Sequence, residues 1–234
     1  MALPKLNDSP KYELIIPSTK QKVKYRPYLV KEEKVLMMAM ETQDSKATLN
    51  AVVDTIAACV QDEIDTSVLA IFDVEYMFTQ IRSKSVGENA KLGMKCSDCE
   101  HDNEVAVDVS SVVVDVPEIN NVVQLTDEIS IEMKWPTYKQ IIEIEALGST
   151  NTSIGFDLIG KCIEAIVSDE ERTLTKDVSN KEIVDFIESM TSTQFGMLSA
   201  YVEQMPKLTH EVHFNCEQCG TSNTRTLQGM TDFF

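Results

Sequence analysis

Glycine is scarce in this chain, eight in 234 residues, and histidine and tryptophan are scarcer, at three and one. Few glycines leave little material for a nucleotide cradle. No glycine-rich phosphate loop, nucleophile elbow or His-Glu zinc-protease helix occurs. No apolar leader opens the sequence, and no apolar run is long enough to span a bilayer. The expectation is therefore a protein made in a reducing cytoplasm, without membrane contact, where disulfides are rare. Basic residues are few, 21 Lys and Arg against 38 Asp and Glu, a formal charge of −17. So acidic a surface repels nucleic acid. Scattered carboxylates of this kind form solvated faces more readily than active sites. The class expected is non-enzymatic, a binding or assembly protein.

What the chain does have is six cysteines, four of them in two matched pairs. Cys96 and Cys99 lie in Met94-Lys-Cys-Ser-Asp-Cys-Glu-His-Asp-Asn103. Cys216 and Cys219 lie in Phe214-Asn-Cys-Glu-Gln-Cys-Gly-Thr-Ser-Asn223. Both pairs leave two residues between the sulfurs, and both have Asn four positions after the second Cys. Strand-like residues flank them, Val105 to Val107 after the first and Val212 to Phe214 before the second. Two such turns can aim four thiolates at one point, the pattern of a closed, structural Cys₄ zinc site resembling a zinc ribbon. The pairs stand half the chain apart, so a shared metal clamps distant segments, with about 10 kcal/mol of binding free energy available to folding.

Two rivals are weaker. A redox dithiol needs cations or a helix N-terminus to lower its thiol pKa, and Asp98, Glu100 and Glu217 act the other way. Two disulfides conflict with the compartment. His101, His210 and His213 could each replace a cysteine, but four sulfurs already complete the shell. Cys59 and Cys162 lie on apolar helical faces and read as buried, inert thiols. Residues 91–105 carry two basic and four acidic side chains. A Zn(Cys)₄ centre adds about −2 more, which disfavours a phosphate backbone at this site.

The first 28 residues differ, with six basic against two acidic side chains. Lys20, Lys22, Lys24 and Arg26 make them a candidate partner-binding arm, and docking on the chain's own body is an equal alternative. Tyr12 to Ile16 and Lys22 to Tyr25 flank Pro17-Ser-Thr-Lys20 as a β-hairpin. Lys31 to Gln43 reads as a helix whose methionines fill a core, and Leu49 to Val60 as a second. Residues 66–82 are apolar almost all round, which suits a central helix or one buried in a partner. Val105 to Val116 and Ile129 to Trp135 read as strands. Ile159, Cys162, Ile163 and Ile166 mark one helical face. Ser179 and Thr191 open capping boxes with Glu182 and Gln194. Phe233 and Phe234 pack either on this chain or on a neighbour, and are candidate partner contacts.

The architecture expected is α+β in one compact domain over 1–234. A basic arm and hairpin (1–28) precede a helical stretch (29–82), then the first knuckle and a β-rich middle (83–135). A second helical stretch (136–206) leads to the second knuckle and tail (207–234).

The run Lys24 to Thr42, the run Phe72 to Glu88, Met205-Pro-Lys-Leu-Thr-His210 and the Asp232-Phe-Phe end resemble the baseplate hub subunit family of T-even-type bacteriophages. The resemblance covers nearly the whole chain and is weakest in the Val-rich middle. It implies a component or assembly factor of the central hub of a contractile tail. Its partners would be other hub proteins and the tape-measure protein, in the virion baseplate or in the infected host cytoplasm during assembly. The rival class is a cytoplasmic zinc-ribbon adaptor for nucleic acid or transcription machinery.

Overall fold

The computed structural model describes residues 9–146, 151–169 and 171–233. The fold is α+β. The chain divides into two compact units. Unit 1 holds Met1–Thr66, Phe72–Asp115 and Lys207–Phe234; unit 2 holds Ser67–Ile71 and Val116–Pro206.

Unit 1 opens with the expected hairpin, β1 (Tyr12–Ile15) against β2 (Lys22–Tyr25). Its turn is pinned by Asp73, whose carboxylate accepts from the Ser18 backbone N–H at 2.9 Å and from the Ser18 hydroxyl at 2.6 Å. Then come α1 (Val30–Glu41) and α2 (Ser45–Cys59), which pack together. The second helix starts earlier than its apolar pattern suggests, because Asp44 Oδ1 accepts from the N–H groups of Lys46 and Ala47 and caps it. The methionines of α1 correct the sequence reading. Met37, Met38 and Met40 are 58%, 57% and 44% exposed. The helix instead turns Glu32 and Leu36 inward, and Glu32 is held there by an ion pair with Arg26 at 2.9 Å.

The next helix, α3 (Ile71–Val86), buries Phe72, Val74, Met77, Phe78 and Ile81 and is central to unit 1, as its composition requires. The strands β3 (Asn89–Lys95) and β4 (Asp102–Asp108) form an antiparallel hairpin, and β5 (Val113–Val114) follows.

Unit 2 is built on a four-stranded antiparallel sheet, β6 (Val122–Gln124), β7 (Ile129–Met133), β8 (Ile163–Ser168) and β9 (Arg172–Leu174), in that order. Its helices are α4 (Tyr138–Ala146), α5 (Asn151–Cys162), α6 (Asn180–Glu188) and α7 (Ser192–Glu203). Both capping boxes form as expected, Ser179 with Glu182 and Thr191 with Gln194. The run Ile159 to Ile166 is not one helical face. The helix ends at Cys162, and the β-branched residues Ile163, Ile166 and Val167 continue as β8. The core joins Ile131 and Met133 of β7 to Ile159, Cys162, Ile187, Leu198 and Tyr201, with Trp135 stacked on Tyr201 at 4.6 Å.

The chain then re-enters unit 1 through β10 (Leu208–Asn215), which pairs with β5 on one side and with β11 (Ser222–Gln228) on the other. The whole stretch 116–206 is thus inserted between two neighbouring antiparallel strands.

One half-buried carboxyl sits beside this end of unit 1. Glu75 Oε1 accepts from the Met230 backbone N–H at 3.2 Å. Gly229 has φ of +67°, and a Cβ there would stand 3.3 Å from the same oxygen. Burial raises the Glu75 pKa, and the Met230 hydrogen bond only partly opposes it. Well below the ordinary carboxyl range both folded and unfolded chains hold the proton. As pH rises the unfolded chain ionises first, so stability falls through the interval up to the raised folded value and stays lower beyond it. Glu75→Gln keeps the acceptor and removes the charge. The expected result is a higher melting temperature than wild type at pH 7, with the advantage vanishing as pH is lowered past the unfolded value. Melting curves from pH 3 to 8 check it.

Candidate metal centre

Each Cys pair occupies the tip of a hairpin: loop 96–101 joins β3 to β4, and loop 216–221 joins β10 to β11. Strands, not helices, therefore deliver both knuckles. Below the tips Met94, Val107 and Val212 form a small core with Leu92, Val105, Phe214 and Leu227 around it, so the hairpins meet across apolar side chains. The next layer, Ala90, Val109, Val112, Leu208 and Phe233, continues the core toward Tyr76 of α3.

The loops are folded alike. The Cys96 N–H donates to His101 O and the Cys216 N–H to Thr221 O, both at 2.9 Å. The N–H of Glu100 returns to Cys96 O, and that of Gly220 to Cys216 O. The residue after each second cysteine is left-handed, φ +59° at Glu100 and +75° at Gly220. Glycine adopts that region freely; a residue with Cβ pays about 1 kcal/mol or more. Glu100→Gly is therefore expected to raise the melting temperature. Gly220→Ala is expected to cost about 1–2 kcal/mol, although no atom lies within 4 Å of the added methyl. Thermal melts of the two variants check the pair.

The four sulfurs converge. All four ligand atoms lie within 4.8 Å of one another. Cys96 Sγ is 3.7 Å from Cys219 Sγ, and Cys99 Sγ is 3.6 Å from Cys216 Sγ. Sulfurs bonded at about 2.3 Å to a tetrahedral ion stand about 3.8 Å apart. The donor set and spacing fit such an ion, and these four residues could hold one. Without metal the sulfurs ionise unequally. Cys96 is lowered to about 6 by the backbone N–H groups of Cys99 and Asp98 and by Asn223. Cys216 is lowered by the backbone N–H groups of Cys219 and Gln218. Cys99 is raised to about 12: the His101 N–H lowers it, but burial and the sulfurs of Cys219, Cys216 and Cys96 outweigh that. A bound cation would reverse this mutual opposition.

Two asparagines lock the knuckles to each other, a role that the sequence reading missed. Asn103 Oδ1 accepts from the Glu217 N–H of the opposite loop at 2.9 Å, while its Nδ2 donates to His101 O in its own. Asn223 does the same in mirror order. Its Oδ1 accepts from the Ser97 N–H at 2.9 Å, and its Nδ2 donates to Thr221 O. Both side chains are buried. Asn223 Nδ2 also lies 3.6 Å from Cys96 Sγ, which makes it an outer-shell donor. Together with the loop hydrogen bonds these pairs obey one pseudo-twofold operation that exchanges the hairpins. The signal in the sequence is the Asn four residues after each pair; the exchange between loops needs the fold to be seen.

The remaining candidates are placed as follows. Lys20, Lys22 and Lys24 are exposed on the β1–β2 hairpin, and Lys22 is paired with Glu13. Arg26 is turned onto its own unit, donating to Pro27 O, Glu32 and Ala58 O. Phe233 is fully buried in its own unit, so of its two alternatives it takes packing on this chain. Phe234 and the first eight residues lie outside the described residues. His213 approaches Thr224 and Glu211, not the sulfurs. Cys59 and Cys162 are buried, and burial raises their thiols to about 11 and about 12.

A family model described as T4 bacteriophage base plate protein matches residues 9–234. No curated protein and no solved structure gives a significant match.

Proposed function

This chain belongs to the T4 bacteriophage base plate protein family, and on that premise we propose that it is a non-enzymatic component or assembly factor of the baseplate hub, clamped by one structural Zn²⁺. Membership makes it a structural baseplate protein among other baseplate proteins of the virion tail. The hub is the finer step. It rests on the family-specific runs Lys24 to Thr42 and Phe72 to Glu88, and it names other hub proteins and the tape-measure protein as partners.

The observation that carries the zinc reading is the convergence of four cysteine sulfurs within 4.8 Å, braced by reciprocal asparagines. Four thiolates close the shell and leave no position for water or substrate, which favours a structural over a catalytic metal. Zinc suits an all-thiolate tetrahedral set. The acidic residues Asp98, Glu100, Asp102 and Glu217 around it oppose a nucleic-acid role.

The test of the hub reading is an amber mutant phage. Heads and baseplate wedges are expected to accumulate, with few or no complete hubs and tails. Normal contractile tails from a verified null mutant would overturn it.

A further inference from the structure

The helix α1 carries an apolar stripe that stays exposed among the described residues. Val30 is 80% exposed, Met37 58%, Met38 57% and Met40 44%. Lys34, Met37, Met38 and Glu41 fall at i, i+3, i+4 and i+7, so they share one face, with Val30 a turn earlier. Lys34 and Glu41 are both exposed. Among the described residues neither forms an ion pair.

We propose that this face binds a second copy of the same chain, with the two α1 helices antiparallel about a twofold axis passing between Met37 and Met38. The charge order is the argument. On this face the basic Lys34 lies toward the N-terminal end and the acidic Glu41 ends it. That order is complementary to itself when the helix is turned end over end. Antiparallel pairing sets Met37 against Met38 of the second copy, and Lys34 against its Glu41, twice by symmetry. Parallel pairing would set lysine on lysine. An isologous interface of this kind closes at two copies. Methionines adapt to such a seam because they are unbranched and polarizable. A helix of this length spans only about 18 Å, so the contact is smaller than the ~800 Å² per partner of a standard interface. The association is accordingly weak, with a dissociation constant on the order of 10–100 μM.

Sedimentation equilibrium of the full, metal-loaded chain from about 5 to 300 μM measures it. Wild type is expected to dimerise reversibly. Lys34→Glu alone and Glu41→Lys alone place like charges together, and each should weaken the dimer about tenfold or more. An equimolar mixture of the two single variants restores opposite charges at both contacts and should form the heterodimer. The double variant should dimerise like wild type. Both substituted positions are exposed, so folding is not at risk, and circular dichroism verifies this. A wild type that stays monomeric throughout overturns the proposal and leaves the face to a different protein. A dimer indifferent to the four charge combinations overturns it equally.

Discussion

Cys216→Ser is expected to empty the metal site and to lower the melting temperature by more than about 10 °C. The sulfur of Cys216 stands 3.6 Å from that of Cys99 across the two hairpins. Its loss leaves three thiolates, and it removes the tie between segments that are otherwise joined by a small apolar core and a few polar contacts. At the tips the remaining contacts are the core of Met94, Val107 and Val212 and the two asparagine exchanges. Elemental analysis of protein purified without chelator should give close to one zinc per wild-type chain and none for the variant. Cys59→Ser and Cys162→Ser serve as controls, because both thiols are buried away from the site; their zinc content should match wild type. Folded wild-type protein that carries no metal would sink the clamp.

The second large effect concerns the asparagines. Asn223→Ala removes the acceptor of the Ser97 N–H and one of the two donors to the Thr221 carbonyl, at about 1–2 kcal/mol, and it withdraws the donor beside Cys96 Sγ. Metal affinity is expected to fall about 10–100-fold, as when other outer-shell partners are lost. Asn103→Ala should cost similar stability, since the Glu217 N–H loses its acceptor and His101 O loses one of its two donors, but less affinity, because no sulfur contact is involved. Asn223→Asp is the sharper variant. It keeps the acceptor for Ser97, loses the donor, and adds a negative charge beside the thiolates. Competition with a chromophoric chelator reads all three. Affinity unchanged in Asn223→Ala would mean that the brace serves the backbone alone.

The convergence of the four cysteines was legible because ligand chemistry imposes local spacing. Cys96, Cys99, Cys216 and Cys219 could be paired from the sequence, since only four sulfurs in two matched turns satisfy one ion. The capping boxes at Ser179 and Thr191 were legible for the same reason: donor and acceptor sit three residues apart. What could not be read depends on distant neighbours. The exposure of Met37 and Met38 is decided by where Glu32 and Arg26 anchor the helix, not by the composition of α1. The change from helix to strand at Cys162 arises because Ile163 to Val167 finds β7 and β9 on either side, while its apolar spacing also suits a helix. The division into two units left no mark in composition, because the chain crosses between them without a proline- or glycine-rich linker. Phe233 could equally have faced a partner until the β3, β5 and β10 strands were seen to enclose it.

The insertion of residues 116–206 between paired strands sets a clock. A ribosome adding about 5–20 residues per second releases the first cysteine pair roughly 6–24 seconds before the second. During that interval Cys96 and Cys99 have no opposite loop, and β5 has no β10. Every residue of unit 2 emerges before the second pair, and that unit carries its own core. The order of events is thus written into the order of the chain: the insert is free to fold first, and the clamp shuts last, once the final two strands are delivered.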